Sequence, residues 1–189
     1  MKTILTRKYS TIGCCGIDCG LCPRYHTDGK SKCPGCGGID FFEKHPSCSI
    51  FTCCVKNKQL ETCADCMDFP CGKMRNWDSA DSFVTHKNSL VNLHSIIESG
   101  LPALIKQQSA RIKLLGRIIK NYDDGRSKSF FCLAAALLPI NDIKTAIKEI
   151  TSPKNELIDK KAIAKLLRDT LQQIANRNGI ELIYRNKKA

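Results

Sequence analysis

Thirteen cysteines are the residues of this 189-residue chain best suited to do chemistry, and they are unevenly placed. Twelve lie between Cys14 and Cys71, while Cys132 stands alone. Such a density indicates a disulfide scaffold in a secreted protein and a metal site in a cytoplasmic one. The cysteine count is odd, and the first residues, MKTILTRKYSTIG, lack the apolar segment of a secretory signal. We therefore expect a cytoplasmic protein whose cysteines bind metal.

The first cysteine cluster is the string Cys15-Gly-Ile-Asp-Cys19-Gly-Leu-Cys22. Three thiols within eight residues can converge on one centre, and glycines permit the tight backbone that this requires. Radical S-adenosylmethionine enzymes share the spacing, but they need alternating strands and helices after the motif, which this chain lacks. We expect zinc here or, alternatively, a [4Fe–4S] cluster on these cysteines with a fourth ligand from Cys48 or Cys71.

Two C-x2-C units follow, Cys33-Pro-Gly-Cys36 and Cys63-Ala-Asp-Cys66. The first, followed by two glycines, is typical of the knuckle of zinc ribbons and rubredoxin. Two such units together can make one tetrahedral four-cysteine site. The loop between them, residues 37–62, is longer than in most zinc fingers, so the sequence leaves their pairing open.

A set of ten cysteines forms the predicted metal ligands. They are Cys15, Cys19, Cys22, Cys33, Cys36, Cys48, Cys53, Cys63, Cys66 and Cys71. Two four-cysteine zinc sites would leave two of these thiols over, whereas three sites need twelve ligands. His26 and His45 lie within reach of neighbouring cysteines and could complete the third site. The sequence therefore predicts two or three zinc ions.

Two vicinal pairs complicate the ligand set, because adjacent residues rarely both bind one metal. Cys14 precedes Cys15, and we favour a spare thiol at Cys14. Cys53 and Cys54 are adjacent as well, and Cys54 stays an alternative to Cys53 as a ligand.

The string CCGIDCGLCPRYHTDGKSKCPGCGG, with Cys48, Cys53 and CADCMDFPCGKM after it, resembles the uncharacterised Cys-rich family known as domain of unknown function 3795. The resemblance covers residues 14–75 closely, and it implies a metal-binding module from a family found mainly in anaerobic bacteria and archaea. It implies no substrate, reaction or catalytic residue. The C-P-x-C-G knuckle favours structural zinc, and the anaerobic setting favours iron–sulfur; we take zinc as the leading interpretation.

The composition divides the chain into a Cys-rich module, residues 1–77, and a basic helical domain, residues 78–189. The first half is poor in apolar residues other than cysteine, so it needs cross-links such as metal sites to fold stably. One structural zinc supplies about 10–16 kcal/mol of coupled folding energy. We expect little regular structure there, with short strands at most. The predicted fold class is α, with a small irregular zinc-knuckle-like module packed on a bundle of four or five helices.

Local signals mark the helices of the second half. Gly100 should end the first helix, Pro102 should open the second, and Ser152-Pro153 should open the last. The first apolar stripe is predicted to contain Phe83, Leu90, Leu93 and Ile97, and the same helix to carry His86 and His94. Residues 180–184 could form a strand.

The formal charge of +12 divides into +4 for residues 1–77, from 11 basic and 7 acidic residues, and +8 for the rest. Basic residues of the second helix are predicted to form one face; they are Lys106, Arg111, Lys113, Arg117 and Lys120. Arg126, Ser127 and Lys128 precede a helix start and form a candidate anion site. Nucleic-acid binding through this half would be sequence-indifferent, because only 6% of the residues are aromatic.

Signals for enzymatic activity and for membrane insertion are missing from the sequence. It contains no Ser-His-Asp grouping, no carboxylate pair placed for acid–base work and no dinucleotide fingerprint, so we favour a non-catalytic protein. Its longest apolar stretch, residues 130–140, is about half of a membrane span. A protein partner fits the predicted adaptor or regulator role, but the sequence identifies neither a partner nor an oligomeric state.

Overall fold

The structure is a computed structural model, and it describes residues 6–151 and 159–185. The described residues form helices and turns and contain no strand. The α-helices, in chain order, are α1 (Phe41–Lys44), α2 (Ser49–Phe51), α3 (Ser89–Ser99), α4 (Leu101–Tyr122), α5 (Lys128–Leu137), α6 (Ile140–Ile150) and α7 (Lys160–Arg177). None of these helices is long and apolar enough to cross a membrane.

The chain divides into two compact units, and the division falls within α4. The N-terminal unit takes the described residues up to Ser109 together with Tyr184 and Arg185, and the C-terminal unit takes Ala110–Ile183. The mostly helical class is confirmed, and the Cys-rich region has the little regular structure that the sequence predicts. A single bundle of four or five helices is not confirmed, and the domains 1–77 and 78–189 stay a prediction.

The irregular part of the N-terminal unit is built from short turns. They are the 3-10 turns Cys19–Leu21 and Cys63–Asp65 and the π-helical turn Thr52–Asn57, which continues α2. The core of this unit mixes aliphatic and aromatic side chains with thiols: five of the fourteen buried residues in its central cluster are cysteines. Thiols therefore occupy core positions that aliphatic residues fill in ordinary domains.

The helix α3 differs from its predicted stripe. Ile96 and Leu93 are buried, but Ile97 is exposed, and Phe83 lies before the helix begins. The buried face also contains the polar residues Ser89 and Asn92. Hydrophobic periodicity therefore predicted the wrong buried face for α3, because polar side chains on the true buried face point inward and bond the Cys-rich loop.

The C-terminal unit follows its sequence pattern more closely. Its helices α5, α6 and α7 pack together around Phe131, Leu167 and Leu171, all fully buried. Cys132 is buried in this unit, as predicted for a core thiol. The Asp159 carboxylate caps α7 by accepting from the backbone N–H groups of its first turn at 2.8 Å.

Three expectations for the second half need comment. Residues 180–184 form no strand, and the Ser152-Pro153 start signal lies outside the described residues. Arg111 does not belong to a solvated basic face, because its guanidinium donates to the carbonyls of Ala135 at 2.7 Å and Leu138 at 2.8 Å. It thereby satisfies carbonyl groups at the C-terminal end of α5.

Candidate metal centre

All twelve cysteines of the N-terminal cluster line one of two cavities in the N-terminal unit. The first cavity, about 280 Å³, is lined by Cys14, Cys15, Cys19, Cys22, Cys33, Cys36 and Cys48. The second, about 380 Å³, is lined by Cys53, Cys54, Cys63, Cys66 and Cys71. No disulfide joins any of the thirteen cysteines, all of which lie in the described residues. The fold thus sorts thiols from distant parts of the sequence into two groups.

Five neighbouring thiols, which shift one another's pKa values, form a continuous line between the two groups. The line runs Cys19, Cys36, Cys14, Cys54, Cys63. Cys14 and Cys54, which the sequence treated as a spare thiol and an alternative ligand, lie in the middle of this line. The vicinal cysteines Cys14 and Cys15 both line the first cavity.

The thiols of this line differ in their pKa values. Hydrogen bonds from Cys14 and Cys63 hold the pKa of Cys54 at about 4, and those from Cys14 and Cys19 lower the pKa of Cys36. The donors Cys14, Cys19 and Cys63 have their pKa values raised, first by these hydrogen bonds and then by burial. Cys36 and Cys54 therefore favour the thiolate form, which is the form that binds a metal cation.

A backbone amide donates to one sulfur of the first cavity. The N–H of Tyr25 donates to the carbonyl of Cys22 at 3.0 Å, whereas the N–H of Phe51 lies 3.4 Å from the Cys48 sulfur. Amide donors of this kind stabilise thiolate charge, which suits a metal-bound sulfur.

A buried carboxylate, which the sequence analysis overlooked, anchors the first cysteine loop. Asp18 is fully buried, and it accepts from the side-chain amides of Asn92 at 2.8 Å, Asn88 at 3.2 Å and Gln108. Its position inside the C-x3-C motif, with amide residues four apart at the start of the next helix, was a readable signal. These bonds tie the motif to α3 and α4.

A close approach of backbones completes this anchor. The Ser89 hydroxyl donates to the carbonyl of Cys15, and the Asn92 amide donates to the carbonyl of Gly16 at 2.8 Å. Gly16 has a φ of +84°, and a Cβ there would lie 2.2 Å from the Ser89 carbonyl oxygen. Only glycine lets the loop approach α3 this closely.

The histidines behave differently from one another. His45 lines the first cavity, whereas the Nε2 of His26 bonds the carbonyl of Gly20 at 2.8 Å. The prediction that His86 lies in the first long helix was wrong: it precedes α3, is buried and lines the first cavity. Its Nε2 lies 2.9 Å from the Ser82 hydroxyl, and its Nδ1 lies 3.0 Å from the Trp77 carbonyl oxygen.

A lysine faces the second cavity. The Lys58 ammonium donates to the Cys66 sulfur at 3.2 Å and to the Asp68 carboxylate. Hydrogen bonding to Asp68 and then to Cys66 raises the lysine pKa above its ordinary value. The lysine therefore stays charged beside the sulfur.

The predicted ligands are grouped but not arranged as finished coordination sites. Within residues 6–151 and 159–185, no group of three or more Cys, His, Asp or Glu side chains is placed to hold a metal ion. The two C-x2-C units line different cavities, Cys33 and Cys36 the first and Cys63 and Cys66 the second. The donor chemistry nonetheless fits a thiophilic metal, because each cavity offers at least four thiols.

The candidate anion site has its backbone donors occupied. The Asp124 carboxylate accepts from the N–H groups of Arg126 and Ser127, both at 3.0 Å. Ser127 is buried, and Lys128 begins α5. An anion at this helix start would compete with a carboxylate that already satisfies the orphan N–H groups.

The Cys-rich segment corresponds to a known family. Residues 11–76 match the family described as Protein of unknown function (DUF3795). The resemblance found in the sequence is thereby confirmed, and the DUF3795 segment contains every cysteine that lines the two cavities. No curated protein and no solved structure matches the chain.

Proposed function

We propose that this protein binds zinc as a structural metal through the thiolates of its DUF3795 segment and acts as a non-catalytic adaptor or regulator. The observation that carries the proposal is the sorting of all twelve clustered cysteines into two cavities. Two four-cysteine centres, one in each cavity, would use eight of these twelve thiols and leave four over.

The composition of the core supports a structural role for the metal. Thiols occupy core positions of the N-terminal unit that aliphatic residues fill in ordinary domains. Metal binding couples to folding, and one structural zinc contributes about 10–16 kcal/mol. Zinc at these thiols would supply the stability that the sparse apolar core lacks.

Elemental analysis of protein purified without oxygen tests the proposal. We expect two or three zinc ions per chain and no iron. The variants Cys36→Ala and Cys66→Ala should each lower the zinc content at one cavity while the other centre stays loaded. Cys132→Ala, in the C-terminal unit, should keep the full content. A metal-free, stably folded wild-type protein would end the proposal.

An iron–sulfur protein with a redox or cluster-handling role is the second candidate. The first cavity supports it, since it offers seven thiols in about 280 Å³, more than one zinc ion requires. Cys48 lines this cavity with Cys15, Cys19 and Cys22, whereas Cys71 lines the other, so Cys48 is the favoured fourth ligand. A [4Fe–4S] protein is brown, whereas zinc-thiolate is colourless. Colourless protein that gains no visible band with iron and sulfide excludes this candidate.

A further inference from the structure

Arg7 is the most deeply buried cation of the N-terminal unit, and its side chain is 1% exposed. Its Nη1 donates to the carbonyls of Ile12 at 2.6 Å and Cys36 at 3.2 Å, and its Nε donates to the carbonyl of Glu61 at 3.1 Å. The remaining nitrogen, Nη2, lies 3.2 Å from the Glu61 carboxylate, which is 30% exposed. The guanidinium therefore joins three separate loops of the Cys-rich region.

The backbone is shaped to admit this side chain. Gly37 has a φ of +70°, and a Cβ there would lie 2.8 Å from the Cγ of Arg7. The Arg7 N–H also donates to the Gly37 carbonyl at 2.8 Å. The glycine after the C-P-G-C knuckle thus makes room for the arginine.

The guanidinium lies beside Cys36, to whose carbonyl its Nη1 donates. Its Nη2 is buried and has no hydrogen-bond partner among the described residues, so a neighbouring anion can still use it. The charge of Arg7 acts on the thiols of Cys36, Cys14 and Cys54. A zinc ion held by four thiolates carries a net charge of minus two, because four negative sulfurs outweigh one dication. Burial of that charge is costly unless a cation compensates it.

We propose that Arg7 is a positioning residue that compensates the negative charge of the metal–thiolate centre to which Cys36 belongs. This inference rests on the proposed metal-binding function and deepens it. A purely structural arginine would only hold three loops together. An electrostatic arginine also favours metal-bound thiolates over neutral thiols, and its partner Glu61 opposes that effect.

Two charge changes of opposite sign separate these roles. Arg7→Gln removes the positive charge, and Glu61→Gln removes the negative one while its amide oxygen can still accept from the Tyr9 N–H. We expect Arg7→Gln to weaken zinc affinity by about 10- to 100-fold, the range for residues behind a metal ligand. Glu61→Gln should strengthen zinc affinity by about threefold or more.

The measurement is zinc titration against a competing chromophoric chelator, without oxygen, on the full chain. Lys8→Gln is the matched control, because Lys8 neighbours Arg7 and is exposed, and it should stay within about twofold of wild type. Unchanged affinity in folded Arg7→Gln, or affinity that falls or stays constant in Glu61→Gln, would overturn the role of Arg7. Should Arg7→Gln fail to fold, the Glu61→Gln result decides alone. A wild-type protein that binds no metal would instead refute the proposed function, and this inference with it.

Discussion

Single cysteines differ in their importance according to their neighbours in space. Cys14 looks expendable in the sequence because Cys15 follows it. In the folded protein its thiol neighbours those of Cys36 and Cys54, and it lies where the two thiol groups meet. Its contribution to metal binding should exceed what its position in the motif implies.

We expect Cys14→Ala to weaken zinc binding by about 10- to 100-fold, because it removes a sulfur from the middle of the line. Chelator competition measures the affinity. Cys132→Ala is the matched control, since both side chains are 1% exposed and both changes leave the same small void. Equal behaviour of the two variants would show that Cys14 is only a core thiol.

Asp81 holds the C-terminal segment onto the N-terminal unit. It accepts from the Arg185 N–H at 2.7 Å, from the Arg185 guanidinium at 2.9 Å and from the His86 N–H at 2.7 Å. Burial alone would raise the pKa of this carboxyl, but the hydrogen bonds and the charge of Arg185 outweigh burial and lower it to about 2. The folded state therefore favours ionised Asp81.

Stability from Asp81 should be complete above about pH 4 and should fall as the pH drops from the ordinary value of 3.8 toward 2. Its size is about 1–2 kcal/mol, since Arg185 is partly exposed and solvent weakens the pair. Urea unfolding of wild type and Asp81→Asn should differ by that amount at pH 6 and by about half of it at pH 3. A stability difference that grows on acidification would contradict the stabilising role of ionised Asp81. Asp28→Asn, at an exposed loop position, is the control for the change in charge.

Contacts between elements, rather than single residues, hold the first cysteine motif. The loop around Gly16 touches α3 through backbone atoms, and polar side chains of α3 bond the loop. Such an arrangement tolerates no added atom at the point of contact.

Gly16→Ala should therefore destabilise the protein much more than a glycine substitution in open space. Gly29→Ala is the matched control: its φ is +80° against +84° at Gly16, but nothing lies within 4 Å of its added Cβ. We expect Gly29→Ala to lower the free energy of unfolding by about 1 kcal/mol, because its backbone is left-handed. Gly16→Ala should lower it by at least about 2 kcal/mol more. Urea unfolding at one fixed zinc concentration measures both, and equal losses would show that α3 can move aside.

The whole molecule combines two units whose cores have different chemistry. The N-terminal core contains thiols, whereas the C-terminal core consists of aliphatic and aromatic side chains with the single thiol of Cys132. Their responses to metal removal should differ accordingly.

A metal chelator with a reducing agent should unfold the N-terminal unit and leave α5, α6 and α7 folded. Hydrogen exchange followed by mass spectrometry should show lost protection in residues 6–109 and retained protection in the described residues of 110–183. The same chelator saturated with zinc should change neither unit. Loss of protection in both units together would mean that the C-terminal unit does not stay folded when the N-terminal unit loses its metal.

Short-range sequence patterns determined the limits of some helices and the cysteine motifs of this protein. Gly100 and Pro102 predicted the end of α3 and the start of α4, because caps and breakers act within a few residues. The cysteine spacing and the family resemblance also followed from the sequence alone, since both are properties of neighbouring residues.

Tertiary structure decided which thiols meet and what surrounds them. Cys14 reaches Cys54, Arg7 reaches Glu61, and Asp18 reaches Gln108 across long stretches of chain. No short-range pattern encodes such contacts in a region with almost no regular structure, because irregular loops have no fixed repeat from which side-chain directions follow. The same absence of a repeat explains why the sequence leaves the pairing of the two C-x2-C units open, whereas the folded chain turns them toward different cavities.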